Sequence, residues 1–137
     1  MPWVCPDCGR SFGRARQPHA CRPSVPLDEW LAGRDPRVRV VLDAVFAAVR
    51  GVGPVVVETT RDAVMVKRSR TFAEVKPRRD RVEVSFIVPR RIVDDRVVRT
   101  LDLTVTRVVH TVEARTAADV DRVVAGWLAE AYDASPT

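Results

Sequence analysis

The sequence has little with which to cross a membrane, knit disulfides or stack bases. None of its apolar runs approaches the roughly 20 residues of a spanning helix. Met1–Arg10 has neither the charged start nor the apolar stretch of a secretory signal. A cytoplasmic protein with no membrane partner is therefore expected. Cysteine is scarce and odd in number: there are 3, every one within the first 21 residues. That fits poorly with a disulfide framework and better with thiols kept reduced as metal ligands. The usual catalytic signatures are missing too, among them G-x-S-x-G, a phosphate loop, paired carboxylates and a catalytic metal motif. Nothing in the sequence supports an enzyme. Aromatic residues make up 6% of the chain, and no stacking platform for bases accompanies its most basic end.

What is present is enough for one ordinary domain with a small appendage. The chain has 137 residues, 46% of them apolar, and a net charge of +5. The apolar fraction supports a packed core, and the charge favours anionic partners, nucleic acid first among them. Arginine also decorates solvated surfaces that have no partner.

Residues 1–24 read as a zinc knuckle. Cys5-Pro-Asp-Cys8 can grip one ion from a single tight turn, and Gly9 permits a positive φ just after it. The second pair is His19-Ala20-Cys21. Positions i and i+2 point to the same side of an extended chain, and Pro18 keeps Gln17 out of the helical region. The ligand set Cys5, Cys8, His19 and Cys21 uses every cysteine, leaves no open position and describes a structural zinc site. A redox C-x-x-C would need a strand–helix unit around it, and none is visible. The spacing also differs from the retroviral knuckle and from the two-Cys, two-His finger.

Residues 25–35 read as a linker with a short helix over Leu27–Ala32, anchored by Trp30. Residues 36–137 read as an α+β domain. Asp35 and Pro36 start a helix that runs to about Val52, with Val38, Val41, Leu42, Val45, Val49 and Val52 as its apolar stripe. Strands follow as an antiparallel meander: Val55–Glu58, Ala63–Val66, Phe72–Lys76 and Val82–Val88, then Val97–Leu101 and a long strand over Leu103–Glu113. A last helix is expected from Thr116, with Asp119 completing a capping box and Trp127 packed on the sheet. Asp133–Thr137 reads as a frayed tail. The two helices flank the sheet on one face.

The segments CPDCGRSF…H-A-C, FAEV, VPRRI and VVHTVEA…DVDRVVAGWLAEAY together resemble a bacterial family of uncharacterised domains, domain of unknown function 5655 (DUF5655). Pro89–Arg91, His110 and the Trp127-Leu128…Glu130-Ala131-Tyr132 ending are the most specific parts. The resemblance implies an α+β fold, admits a zinc-knuckle extension at the N-terminus and implies no activity.

From Lys67 to Arg91 the net charge is +6, more than that of the whole chain. Alternate turns of a meander share one end of the sheet, so Lys67, Arg68 and Arg70 should meet Arg90 and Arg91. Guanidinium forks there suit phosphate or carboxylate; a solvated rim that discourages edge pairing explains the same charges. His110, on one strand face with Val108 and Val112, is either a buried core histidine or a general base or ligand contact beside the arginines. The sequence therefore describes a binding module for an anionic partner, with nucleic acid first. A small-anion binder or enzyme using Arg90, Arg91 and His110 is the alternative, and a protein–protein adaptor is a third.

Overall fold

Asp35 opens the body. In the computed structural model, which describes residues 2–135, its carboxylate accepts a hydrogen bond from the Arg37 amide at 2.9 Å, and Pro36 takes the first helical position. The helix, α2, spans Pro36–Arg50 and buries Val38, Val41, Leu42, Val45, Phe46 and Val49. Before it comes α1, Leu27–Leu31, which turns Trp30 and Leu31 inward. The Trp30 indole N–H donates to the Thr60 carbonyl at 2.7 Å, so this turn is tied to the sheet and belongs to the body's core.

Six strands form the large sheet: β3 (Val56–Thr59), β4 (Val64–Lys67), β5 (Thr71–Pro77), β6 (Val82–Val88), β7 (Val97–Thr104) and β8 (Arg107–Ala114). All pairings are antiparallel, in the order β3-β4-β5-β6-β8-β7. The first four strands form the expected meander; the final hairpin is reversed, so that β8 lies inside and β7 forms the edge. Val108, His110, Val112 and Ala114 make one side of β8 fully apolar or hydrogen-bonded, whereas β7 offers Arg99, Thr100 and Asp102 at its centre. The strand with the buriable face takes the inner place.

The expected division of these last two strands also needs correction. The long strand anticipated over Leu103–Glu113 turns at Val105 and Thr106, giving two strands of equal length. Apolar–polar alternation runs from Leu101 through the turn to Thr106, and no Gly, Pro or Asn marks the turn.

The other end of the body carries a second correction. Thr116 and Asp119 do form a capping box, but it closes a single 3₁₀ turn, Ala117–Asp119. The helix itself, α3, is Arg122–Ala134, capped by Asp121, whose carboxylate accepts from the Val124 amide at 2.9 Å. It includes Asp133 and Ala134 of the expected tail; Pro136 and Thr137 lie outside the described residues.

Both long helices cover one side of the sheet. Rows such as Val66–Ala73–Phe86–His110 and Val64–Val75–Val84–Val112 run across the strands on that side. Phe86 is fully buried and stacks on Trp127 of α3 at 5.8 Å. Opposite β4, the pairing of β5 slips at Phe72, and this side chain joins Tyr132 of α3, 5.5 Å between ring centres. Ahead of the body, β1 (Trp3–Val4) and β2 (Ser11–Phe12) form a two-stranded hairpin.

Candidate metal centre and the cations around the sheet

The small hairpin carries Cys5 and Cys8 at its turn. Gly9 follows with φ of 77°, the left-handed conformation expected of it, and its amide bonds to the Cys5 carbonyl at 2.8 Å. The extended segment at His19–Cys21 brings the second pair across. The ligating atoms of Cys5, Cys8, His19 and Cys21 all lie within 4.8 Å of one another. The Cys5 and Cys21 sulfurs are 3.7 Å apart, and the Cys8 sulfur is 3.4 Å from His19 Nε2. With metal–sulfur bonds of about 2.3 Å and metal–nitrogen bonds of about 2.0–2.1 Å, tetrahedral edges come to about 3.8 and about 3.5 Å. The group can thus hold a metal ion.

The surroundings prepare it. His19 Nδ1 sits 2.6 Å from the Gln17 carbonyl and donates to it, which leaves the Nε2 lone pair for an ion. The Cys8 amide, followed by that of Asp7, brings the Cys5 thiol down to about 7. The Cys5 thiol and the rest of the cluster push Cys21 up to about 11. Three thiols this close cannot all ionise unless a cation joins them.

The knuckle is fastened to the sheet by buried charge. Lys67 on β4 meets Glu58 on β3 at 2.7 Å, and both side chains are more than nine-tenths buried. Glu58 accepts the Ser11 amide at 2.9 Å, while the Lys67 ammonium donates to the Ser11 carbonyl at 2.8 Å and lies over the Phe12 ring. Arg10 donates to the Thr59 carbonyl and to the Arg22 carbonyl. Phe12 in turn packs on the ligand His19, with ring centres 4.4 Å apart. Lys67, one of the anion-site candidates, is thus occupied in holding the knuckle.

The other candidates are distributed as follows. Arg68 donates to the Tyr132 and Ser135 carbonyls, at 3.0 and 2.9 Å, at the end of α3. Arg90 forms a two-pronged pair with Glu130, at 2.9 and 2.8 Å. Arg91 pairs with Asp102 at 2.9 Å and bonds the Thr100 hydroxyl. The Arg70 guanidinium has neither an ion pair nor a hydrogen bond among the described residues; the residue shares a cavity with Arg107. Sequence reasoning missed Arg107, because a lone arginine next to a turn gave no signal until the turn itself was placed.

His110 is fully buried, and both its nitrogens are engaged. The Ile92 amide lies 2.9 Å from Nε2 and can only donate, so Nε2 is the bare nitrogen; Nδ1–H then donates to the Val108 carbonyl at 3.1 Å. Burial lowers the pKa of His110, aided by Arg91 and Arg90 and opposed by the Val108 carbonyl and Glu130. The histidine holds the strand-exit loop against β8.

A further buried charge lies on the helix-free side of the sheet. Burial alone would raise the pKa of Glu83, but Arg78 at 3.0 Å and Arg99 at 3.3 Å hold it below the usual carboxylate range.

The profile of the family described as Domain of unknown function (DUF5655) matches residues 27–135. The chain belongs to this family. The DUF5655 match begins at α1 and ends just after α3, so it takes in the whole body and leaves the Cys/His cluster outside as an N-terminal extension. No curated protein matches the chain. No solved structure matches it either. Among the described residues of this DUF5655 chain, no helix is long and apolar enough to cross a membrane.

Proposed function

We propose that the chain is a binding module in which one zinc ion, held by Cys5, Cys8, His19 and Cys21, folds the knuckle onto a DUF5655 body that takes an anionic partner. The observation that carries the zinc assignment is the ligand geometry: three sulfurs and one imidazole nitrogen lie within 4.8 Å of one another, and the Cys5–Cys21 and Cys8–His19 distances match tetrahedral edges. Three thiolates and an imidazole are soft or borderline donors that suit zinc, and with four protein ligands no position is left for substrate. The ion is structural on this reading, and its thiols fit a reducing compartment such as the cytoplasm. Metal analysis of protein purified under reducing conditions without added zinc should find about one equivalent per chain. A stoichiometry near zero would refute the assignment.

The character of the anionic partner follows from where the cations are spent. A nucleic-acid track needs a row of arginines or lysines free to meet phosphates. Lys67, Arg68, Arg90 and Arg91 all have partners inside the chain. That favours a compact anion over a polymer. Nucleic acid is the second reading, supported by the net charge of +5.

A further inference from the structure

Arg70 and Arg107 stand apart from the other cations. Arg70 is exposed in the β4–β5 turn, and Arg107 is half-buried at the start of β8. Neither guanidinium has an ion pair or a hydrogen bond among the described residues. Both line one cavity of about 320 Å³ between the end of the sheet and the last turn of α3. This is within the usual size range of small-molecule sites, about 300–1,000 Å³. No carboxylate among the described residues lines it. Burial, together with the positive charge of Arg70, lowers the pKa of Arg107. Two arginines thus line one cavity with no carboxylate among the described residues to compensate them, an arrangement that an anion between them would relieve.

The rest of the lining fits an oxyanion. Thr71 and Thr106 add hydroxyls, and so does Ser135, which is 7% exposed and whose Oγ is buried with no hydrogen-bond partner among the described residues. The helix C-terminus, whose free carbonyls would repel an anion, is already covered by Arg68, which takes the Tyr132 and Ser135 carbonyls. Gly13 of the knuckle lies beside the Arg70 stem: a Cβ built on it would be 3.4 Å from the Arg70 Cβ. Phe72 supplies an apolar wall on which an organic substituent can rest.

We propose that the Arg70–Arg107 cavity is a binding site for a small phosphate monoester, its phosphate gripped by both guanidinium forks and by the Ser135 hydroxyl. A tetrahedral dianion balances both charges and has enough oxygens for two forks and a hydroxyl; a carboxylate has one charge and two oxygens. The assignment rests on the anionic-partner reading above and names the ligand class and its seat.

The test is isothermal titration of the zinc-loaded full chain with inorganic phosphate, phenyl phosphate and acetate at neutral pH. Phenyl phosphate should bind saturably, and acetate weakly or not at all. Arg70→Gln and Arg107→Gln should each weaken phosphate binding by roughly tenfold or more, the scale of one lost charge-assisted fork. Arg79→Gln removes the same charge from the turn at the far end of the sheet and should change little. No saturable phosphate binding below about 10 mM, an equal loss in Arg79→Gln, or acetate binding as tight as phosphate would each overturn the site. Zinc content measured on the same samples separates the two readings: a full equivalent of zinc without phosphate binding rejects the cavity and leaves the zinc assignment intact. Oligonucleotide binding that survives both substitutions would likewise reject the cavity and leave the binding module.

Discussion

At the residue scale the most informative side chain is His110, because its two hydrogen bonds fix its protonation state. Nε2 accepts from the Ile92 amide, so a proton placed there breaks that bond inside the core. The folded pKa is lowered, chiefly by burial. The unfolded chain therefore takes up a proton as pH falls below about 6.5 while the folded chain resists it. Stability from this group is complete above that pH and declines below it. The carboxylates with shifted values, Asp80, Glu83, Asp94 and Asp121, are all lowered, and their contribution is lost only further down, below about pH 4.5. The melting temperature should accordingly fall between pH 7 and pH 5, ahead of the acid limb. His110→Phe keeps the stack on Phe86 but leaves the Ile92 amide unpaired, at about 1–3 kcal/mol. It should melt lower at pH 7 and show a shallower slope between pH 7 and pH 5. A slope of the same size in the variant would show that the titrating group lies elsewhere.

At the scale of elements, the two edges of the sheet are handled differently. The β7 edge is left open, with Val98, Leu101 and Leu103 exposed, but its pairing with β8 slips between Val97 and Arg99 and again between Asp102 and Thr104. Such irregularities blunt an edge against unwanted strand pairing. The β3 edge is covered by the knuckle and the linker: Ser24 Oγ takes the Thr59 amide at 2.8 Å, and Arg10 takes its carbonyl. The Glu58–Lys67 pair beneath this cover is buried, so removing one partner strands a charge. Lys67→Met should cost about 3–5 kcal/mol in chemical denaturation, and Glu58→Leu combined with it should recover much of that loss. A cost below about 0.5 kcal/mol would place the pair among ordinary surface bridges. None of this was legible from sequence, since Glu58 reads as the end of a strand and Lys67 as the start of a polar turn; only the docked knuckle buries them. The ligand set was legible because metal geometry demands particular residue types at short range. The helices and the first four strands were legible from their period. The final hairpin was not, because β7 and β8 compete for the same neighbour and the outcome depends on which can bury a face.

At the scale of the whole molecule, the chain is a core with a stapled cap. The continuous apolar core contains residues from Trp30 to Tyr132 and none from the knuckle. The knuckle has no comparable core: Trp3, Phe12 and His19 are in mutual contact, and Cys5, Cys8 and Cys21 provide the remaining order. A domain this small depends on its metal for stability. Metal removal should therefore act in two stages. Cys21→Ser, or a strong chelator, should abolish amide protection in residues 3–22 and leave the protection of α2, β5, β6 and β8 in place. The body should keep a cooperative melt, lowered only by the loss of knuckle contacts to Glu58, Lys67 and Thr59. Hydrogen exchange of the zinc-loaded and Cys21→Ser proteins side by side decides the matter. If protection in β5 and β6 disappears along with that of the knuckle, the body does not fold on its own core and the division into core and cap is wrong. If the knuckle stays protected without its fourth ligand, it is held by the Glu58–Lys67–Arg10 docking contacts rather than by metal.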